Sequence, residues 1–156
     1  MRWFGRSIVV LAALAVAVAV AATASAGAER GNRIPARVRV LEVTVKRPHR
    51  SPASNLTVTS VVRVRRIASL INGLEPLPPG ALDCTGKADD PVVTFTFRAA
   101  PAGRVLARAS QIIASGRGRA SCEPMTLTIR GHVRTPLLGG TSVVRAAQRL
   151  LGLTLP

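Results

Sequence analysis

The chain has 156 residues, 22 of them basic and seven acidic, for a formal net charge of +15, with 47% hydrophobic residues and 3% aromatic. So few aromatics argue against recognition by stacking on single-stranded bases or sugar rings, and with the two cysteines expected to be oxidised the two histidines fall short of the four ligands a structural zinc needs. The positive excess points instead to anionic partners held by charge alone, without sequence-specific reading of nucleic acid.

The first element in chain order is a leader. Arg2 and Arg6 precede an uninterrupted apolar run from Ile8 to Ala22, and the small residues Ala24, Ala26 and Ala28 follow. Charged, apolar, small is the order a translocon and its peptidase require. It predicts a secretory signal peptide over 1–26, cut after Ala26 or alternatively after Ala28. The apolar run, about 15 residues, falls short of the roughly 20 that span a bilayer, so no transmembrane anchor is expected after cleavage. Arg2 and Arg6 are not adjacent, and the first cysteine is Cys84, which argues against the twin-arginine route and against a lipid anchor. The expected location is secreted or extracytoplasmic.

Cleavage removes Arg2 and Arg6 and leaves 20 basic against seven acidic residues, a charge of +13 on an almost aromatic-free domain. Two explanations of that charge stay open. One is a surface selected for polyanions; the other is a GC-rich coding bias, which enriches Arg, Ala, Gly, Pro and Val together.

Residues 27–35 show no apolar period and read as a loose basic arm, followed by a single domain over 36–156. Between Arg37 and Lys46 the alternation shifts phase, from Val38 and Val40 to Leu41, Val43 and Val45, as a β-bulge would make it. Residues 47–55, with Pro48 and Pro52, read as a loop, and Leu56 to Ser60 as a short strand. The period then changes to that of a helix: Val64, Ile67, Ala68, Ile71 and Leu74 on one side, Arg63, Arg66 and Ser69 on the other. Ser60 is the expected N-cap and Asn72-Gly73 the expected left-handed stop.

Val92–Arg98 is the clearest strand, with Val93, Phe95 and Phe97 inward. Ala99 to Gly103 suits a hairpin turn, and 104–114 its partner strand. Gly116-Arg117-Gly118-Arg119 makes the next turn, and Cys122 opens a third strand in which Met125, Leu127 and Ile129 face inward. Thr141 or Ser142 caps a last helix that carries Val143 or Val144, Ala147, Leu150 and Leu151 on one face, Arg145, Gln148 and Arg149 on the other, and ends at Gly152. The expected architecture is a two-layer α+β domain with an antiparallel sheet of about four to five strands, two helices packed on one face, and one disulfide.

In an exported chain, two cysteines are most simply a disulfide, Cys84 to Cys122. It would close a loop of about 39 residues and contribute about 4 kcal/mol in the chain-entropy account. Catalytic groups do not assemble. His49 lies in a loop, His132 follows a strand, and Ser115 lacks the frame of a nucleophile elbow. Asp83, Asp89, Asp90 and Glu123 would gather around the disulfide, but an adjacent Asp pair before proline is ordinarily a solvated turn. No enzyme, cofactor or metal site is therefore expected.

The stretch Leu56-Thr57-Val58-Thr59, the helix end Arg66-Ile67-Ala68-Ser69-Leu70-Ile71-Asn72-Gly73-Leu74 with its proline turn, Cys84, the strand Val93 to Phe97 and Cys122 together resemble a family of uncharacterised secreted proteins of high-GC Gram-positive bacteria. The resemblance covers about residues 56 to 131. It departs from the family pattern at Thr85 and Glu123, and it implies a fold rather than an activity.

The expected function is that of a non-enzymatic domain binding an anionic polymer, an anionic lipid surface or another protein. Arg63, Arg65, Arg66, Arg117, Arg119, Arg145 and Arg149 are the candidate anion-binding residues. The alternative is a secreted inhibitor of a protease or other hydrolase, presenting a turn such as Pro76 to Gly80.

Overall fold

The computed structural model describes residues 33–47, 50–80, 90–113 and 124–153, without the side chains of residues 50–52. Ile34–Pro156 forms one unit. Its elements in chain order are β1 (Val40–Arg47), β2 (Arg50–Val58), α1 (Val61–Asn72), β3 (Val92–Arg98), β4 (Val105–Ile112), β5 (Thr126–Ile129), β6 (His132–Val133) and α2 (Gly140–Leu151). The six strands form one sheet in the order β2-β1-β3-β4-β5-β6, antiparallel at every pairing. This is the expected α+β class. The described residues contain six strands rather than the four to five expected; Cys84 and Cys122 lie outside them.

Because β1 lies between β2 and β3, those two strands run parallel to each other, and parallel strands need a crossover rather than a hairpin. α1 supplies it, passing over β1. The interior face follows from strict alternation. Leu41, Val43 and Val45 of β1 lie opposite Phe97, Phe95 and Val93 of β3, and those three in turn lie opposite Ala107, Ala109 and Gln111 of β4. Leu127 and Ile129 of β5 complete the rows. All of these residues are buried, and both helices add to the same core through Val64, Ile67, Ala68, Ile71, Val143, Val144 and Ala147. Large side chains on β3 beside alanines on β4 give the alternation of volumes that close packing needs, and α2 rests on that alanine-lined strand.

Gly140 shows how close the approach is. A Cβ there would fall on Gln111 Oε1 and lie 2.7 Å from Met125 Cβ. Beneath it Gln111, wholly buried, donates from Nε2 to the Ile112 carbonyl at 2.8 Å.

Several local expectations change. β2 begins at Arg50, inside the stretch expected to be a loop; as an edge strand it tolerates Pro52, which would cost a ladder hydrogen bond only in a central strand. The expected bulge in β1 is absent, since β1 keeps register with β3 from Val40 to Lys46. Val40 and Leu41 are consecutive buried residues on opposite faces. Register shifts occur elsewhere: between β1 and β2, where Val45 pairs with Ser54 and Arg47 with Arg50, and in β4, where Phe97 pairs with Ala107 and Arg98 with Val105, leaving Leu106 as the extra residue. β6 arises because Arg130 and Gly131, at φ 51° and 84°, form a two-residue turn between the paired Ile129 and His132, the geometry a tight hairpin requires.

The helix ends also differ in detail. Ser60 precedes α1 as expected but makes no side-chain cap, and Gly73 stops the helix in a right-handed conformation, with φ −90°. Asn72 has a different task. Its Oδ1 accepts from the Ile34 amide at 2.7 Å and its Nδ2 donates to the Ile34 carbonyl at 3.1 Å. Ile34, placed by the sequence within the arm, is thereby held at 3% exposure. α2 is preceded by left-handed Gly139 at φ 81°, not by Thr141 or Ser142, and Gly152 ends it at φ 65° as expected.

Candidate functional site: an arginine layer on two adjoining helices

In α1 the buried set Val64, Ile67, Ala68 and Ile71 recurs at spacings of three and four, which turns Val62, Arg63, Arg65, Arg66 and Ser69 to solvent. In α2 the buried set Gly140, Val143, Val144 and Ala147 does the same for Ser142, Arg145 and Arg149. All five of these arginines are exposed. Neither helix contains an Asp or Glu.

The two helices pack against each other on the same face of the sheet. Their neighbouring ends are tied by backbone hydrogen bonds, Leu77 N to Pro136 O at 2.7 Å and Leu138 N to Glu75 O at 2.8 Å. Leu74 Cδ2 lies where a Cβ on Gly139 would meet it at 3.5 Å. Arg63, Arg65, Arg66, Arg145 and Arg149 therefore stand on one solvent-facing layer, contributed by segments more than 70 residues apart in the chain.

The side chains of these five arginines have no ion pair and no hydrogen bond among the described residues. Arg98, on the opposite face of the sheet, behaves differently. Its Nε and Nη2 donate to Glu42 Oε1 and Oε2 at 3.1 and 3.3 Å, and its Nη1 donates to the Gly103 carbonyl at 2.7 Å. A fork-to-fork pair of this kind satisfies the guanidinium within the protein. On the helical layer the guanidinium groups face solvent. Arg145 and Arg149, four residues apart, are moreover a like-charge pair that weakens an isolated helix by a few tenths of a kcal/mol.

Arg117 and Arg119 lie outside the described residues, as do His49, Asp83, Asp89, Ser115 and Glu123. Asp90 is buried at the approach to β3, not a solvated turn residue. His132 is exposed in β6, opposite Ile129. Among the described residues no three His, Cys, Asp or Glu side chains are grouped to hold a metal, and no helix is long and apolar enough to cross a membrane. Phe95 and Phe97 are fully buried, so neither offers a stacking surface. Pro76 bridges to Leu137, while Pro78, Pro79 and Gly80 are exposed.

The sequence reading missed Val62, which is 79% exposed in the middle of the arginines of α1. The signal was present: Val62 falls outside the three-and-four spacing of the buried set. In comparisons with known proteins the chain matches no family model, no curated protein and no solved structure.

Proposed function

We propose that this chain is an exported, non-enzymatic binding domain that engages an anionic partner through the arginine layer of α1 and α2. The observation that carries the reading is the presence of five exposed arginines, unpaired among the described residues, on two adjoining helices that contain no acidic residue. At physiological ionic strength screening acts over about 8 Å, so charges grouped on one layer reinforce each other at a partner's surface, whereas charges scattered over the domain do not. The charged, apolar, small order of residues 1–26 supports export.

Export in turn favours a Cys84–Cys122 disulfide. Among the described residues that flank the two cysteine-bearing segments, Ile113 N donates to Pro91 O at 2.8 Å, and Pro76 and Met125 both bridge to Leu137, which is compatible with such a link.

The test is elution from immobilised heparin. Replacing Arg63, Arg66, Arg145 and Arg149 with Gln should lower the eluting salt concentration well below that of a variant with the same change at Arg37, Arg39, Arg104 and Arg108, which are also exposed. Equal losses from the two sets would show that only total charge matters, and the reading would fall.

A further inference from the structure

We propose that the anionic partner is a lipid bilayer surface, with Val62 as the side chain that enters it; this rests on the arginine-layer reading above. Val62 is 79% exposed and lies opposite the buried stripe of Val64, Ile67, Ala68 and Ile71. Arg65 and Arg66 follow it by three and four residues and are therefore its neighbours on the helix surface, with Arg63 and Ser69 beside them. The α1 part of the layer thus has an apolar point set among guanidinium groups.

A soluble polyanion can satisfy the arginines but gains nothing from the methyl groups of Val62, which remain in water. An anionic bilayer satisfies both. Guanidinium groups pair with phosphates at headgroup level, while a short apolar side chain between them reaches the boundary with the acyl chains. Basic residues near such a surface add their attraction one by one and lose it as salt screens them. With Phe95 and Phe97 buried in the core, neither is available as an interfacial aromatic anchor. Attachment is then shallow, reversible and dependent on anionic lipid.

The experiment uses the protein purified from the medium of a secreting host, its N-terminus established by mass spectrometry. It is floated with vesicles of equal parts phosphatidylglycerol and phosphatidylcholine, or of phosphatidylcholine alone, and run in parallel on heparin. Binding to the anionic vesicles only is expected. Val62→Ser should weaken that binding about five- to tenfold, somewhat less than the loss for a fully buried valine because the insertion is shallow, with heparin elution unchanged. Residues 5–156 contain no tryptophan, so Val62→Trp provides a local probe: its emission should shift to the blue on anionic vesicles and stay at its aqueous position on heparin. Vesicle binding unaffected by Val62→Ser, or an unshifted Val62→Trp emission, with heparin retention intact, would identify a soluble polyanion and overturn the lipid assignment while leaving the arginine layer standing. Loss of heparin retention by the unaltered protein would overturn both.

Discussion

Across the first five strands of the sheet, one row on the helix-covered face reads Leu56, Val43, Phe95, Ala109, Leu127, and the adjacent row on the other face reads Asn55, Thr44, Thr94, Ser110, Thr126. The backbone neighbours are shared, and the demands on the side chains are opposite. The inner row has to fill a fixed volume beneath two helices, so each residue's size constrains the next. The outer row has only to pair small polar groups, as Thr94 Oγ1 and Ser110 Oγ do at 3.0 Å and as Thr126 Oγ1 does in donating to the Ser110 carbonyl at 3.4 Å. Stability is therefore concentrated on one face. Apart from the Arg98 bridge to Glu42 and the buried Val40 and Thr96, the other face provides polarity rather than cohesion.

The largest expected effect comes from emptying the centre of the inner row. Phe95 is fully buried between Val43 and Ala109, and Phe95→Ala should cost about 3–5 kcal/mol in urea unfolding, the range for removing a core aromatic. A cost under about 0.5 kcal/mol, within the range of surface substitutions, would mean that the ring is not gripped from both sides. Adding volume tests the same face in the other direction. Gly140→Ala places a methyl against Gln111 and Met125. It should destabilise by about 1–3 kcal/mol through overpacking, although alanine is the better helix former. If Gly140→Ala were stabilising, α2 would have room to lift from β4, and the close approach described above would be wrong.

The inner face was also the legible one. Val92–Arg98 takes the form its alternation predicts, and Val64, Ile67, Ala68 and Ile71 are the buried side of α1 that their spacing predicts, because burial on one side leaves a strong period in the sequence. Where burial is two-sided or the strand lies at an edge, the period misleads. Consecutive Val40 and Leu41 imitated a bulge, and the prolines of 47–55 concealed the start of β2 on an edge where proline is tolerated. Of the candidate site, the exposure of the arginines could be read from the helical period, whereas their union could not. Which helices adjoin depends on α1 crossing β1 and on the pairing of Pro76 with Leu137, contacts between distant segments that no local pattern encodes. The pairing of Arg98 with Glu42, 56 residues apart, was hidden for the same reason, and with it the distinction between a satisfied arginine and five open ones.

The smallest expected effect lies on the bare face and is the one that most directly tests the comparison. Thr94 pairs across strands with Thr44 and Ser110, in a half-exposed row open to water. Thr94→Val keeps the β-branched shape that suits a strand and removes one hydroxyl, whose partner Ser110 can turn to solvent instead. The change should shift stability by no more than about 0.5 kcal/mol, as for other surface substitutions. A loss of about 2 kcal/mol or more would mean that the hydroxyl row is a buried and coupled network, and that this face is covered and contributes cohesion after all.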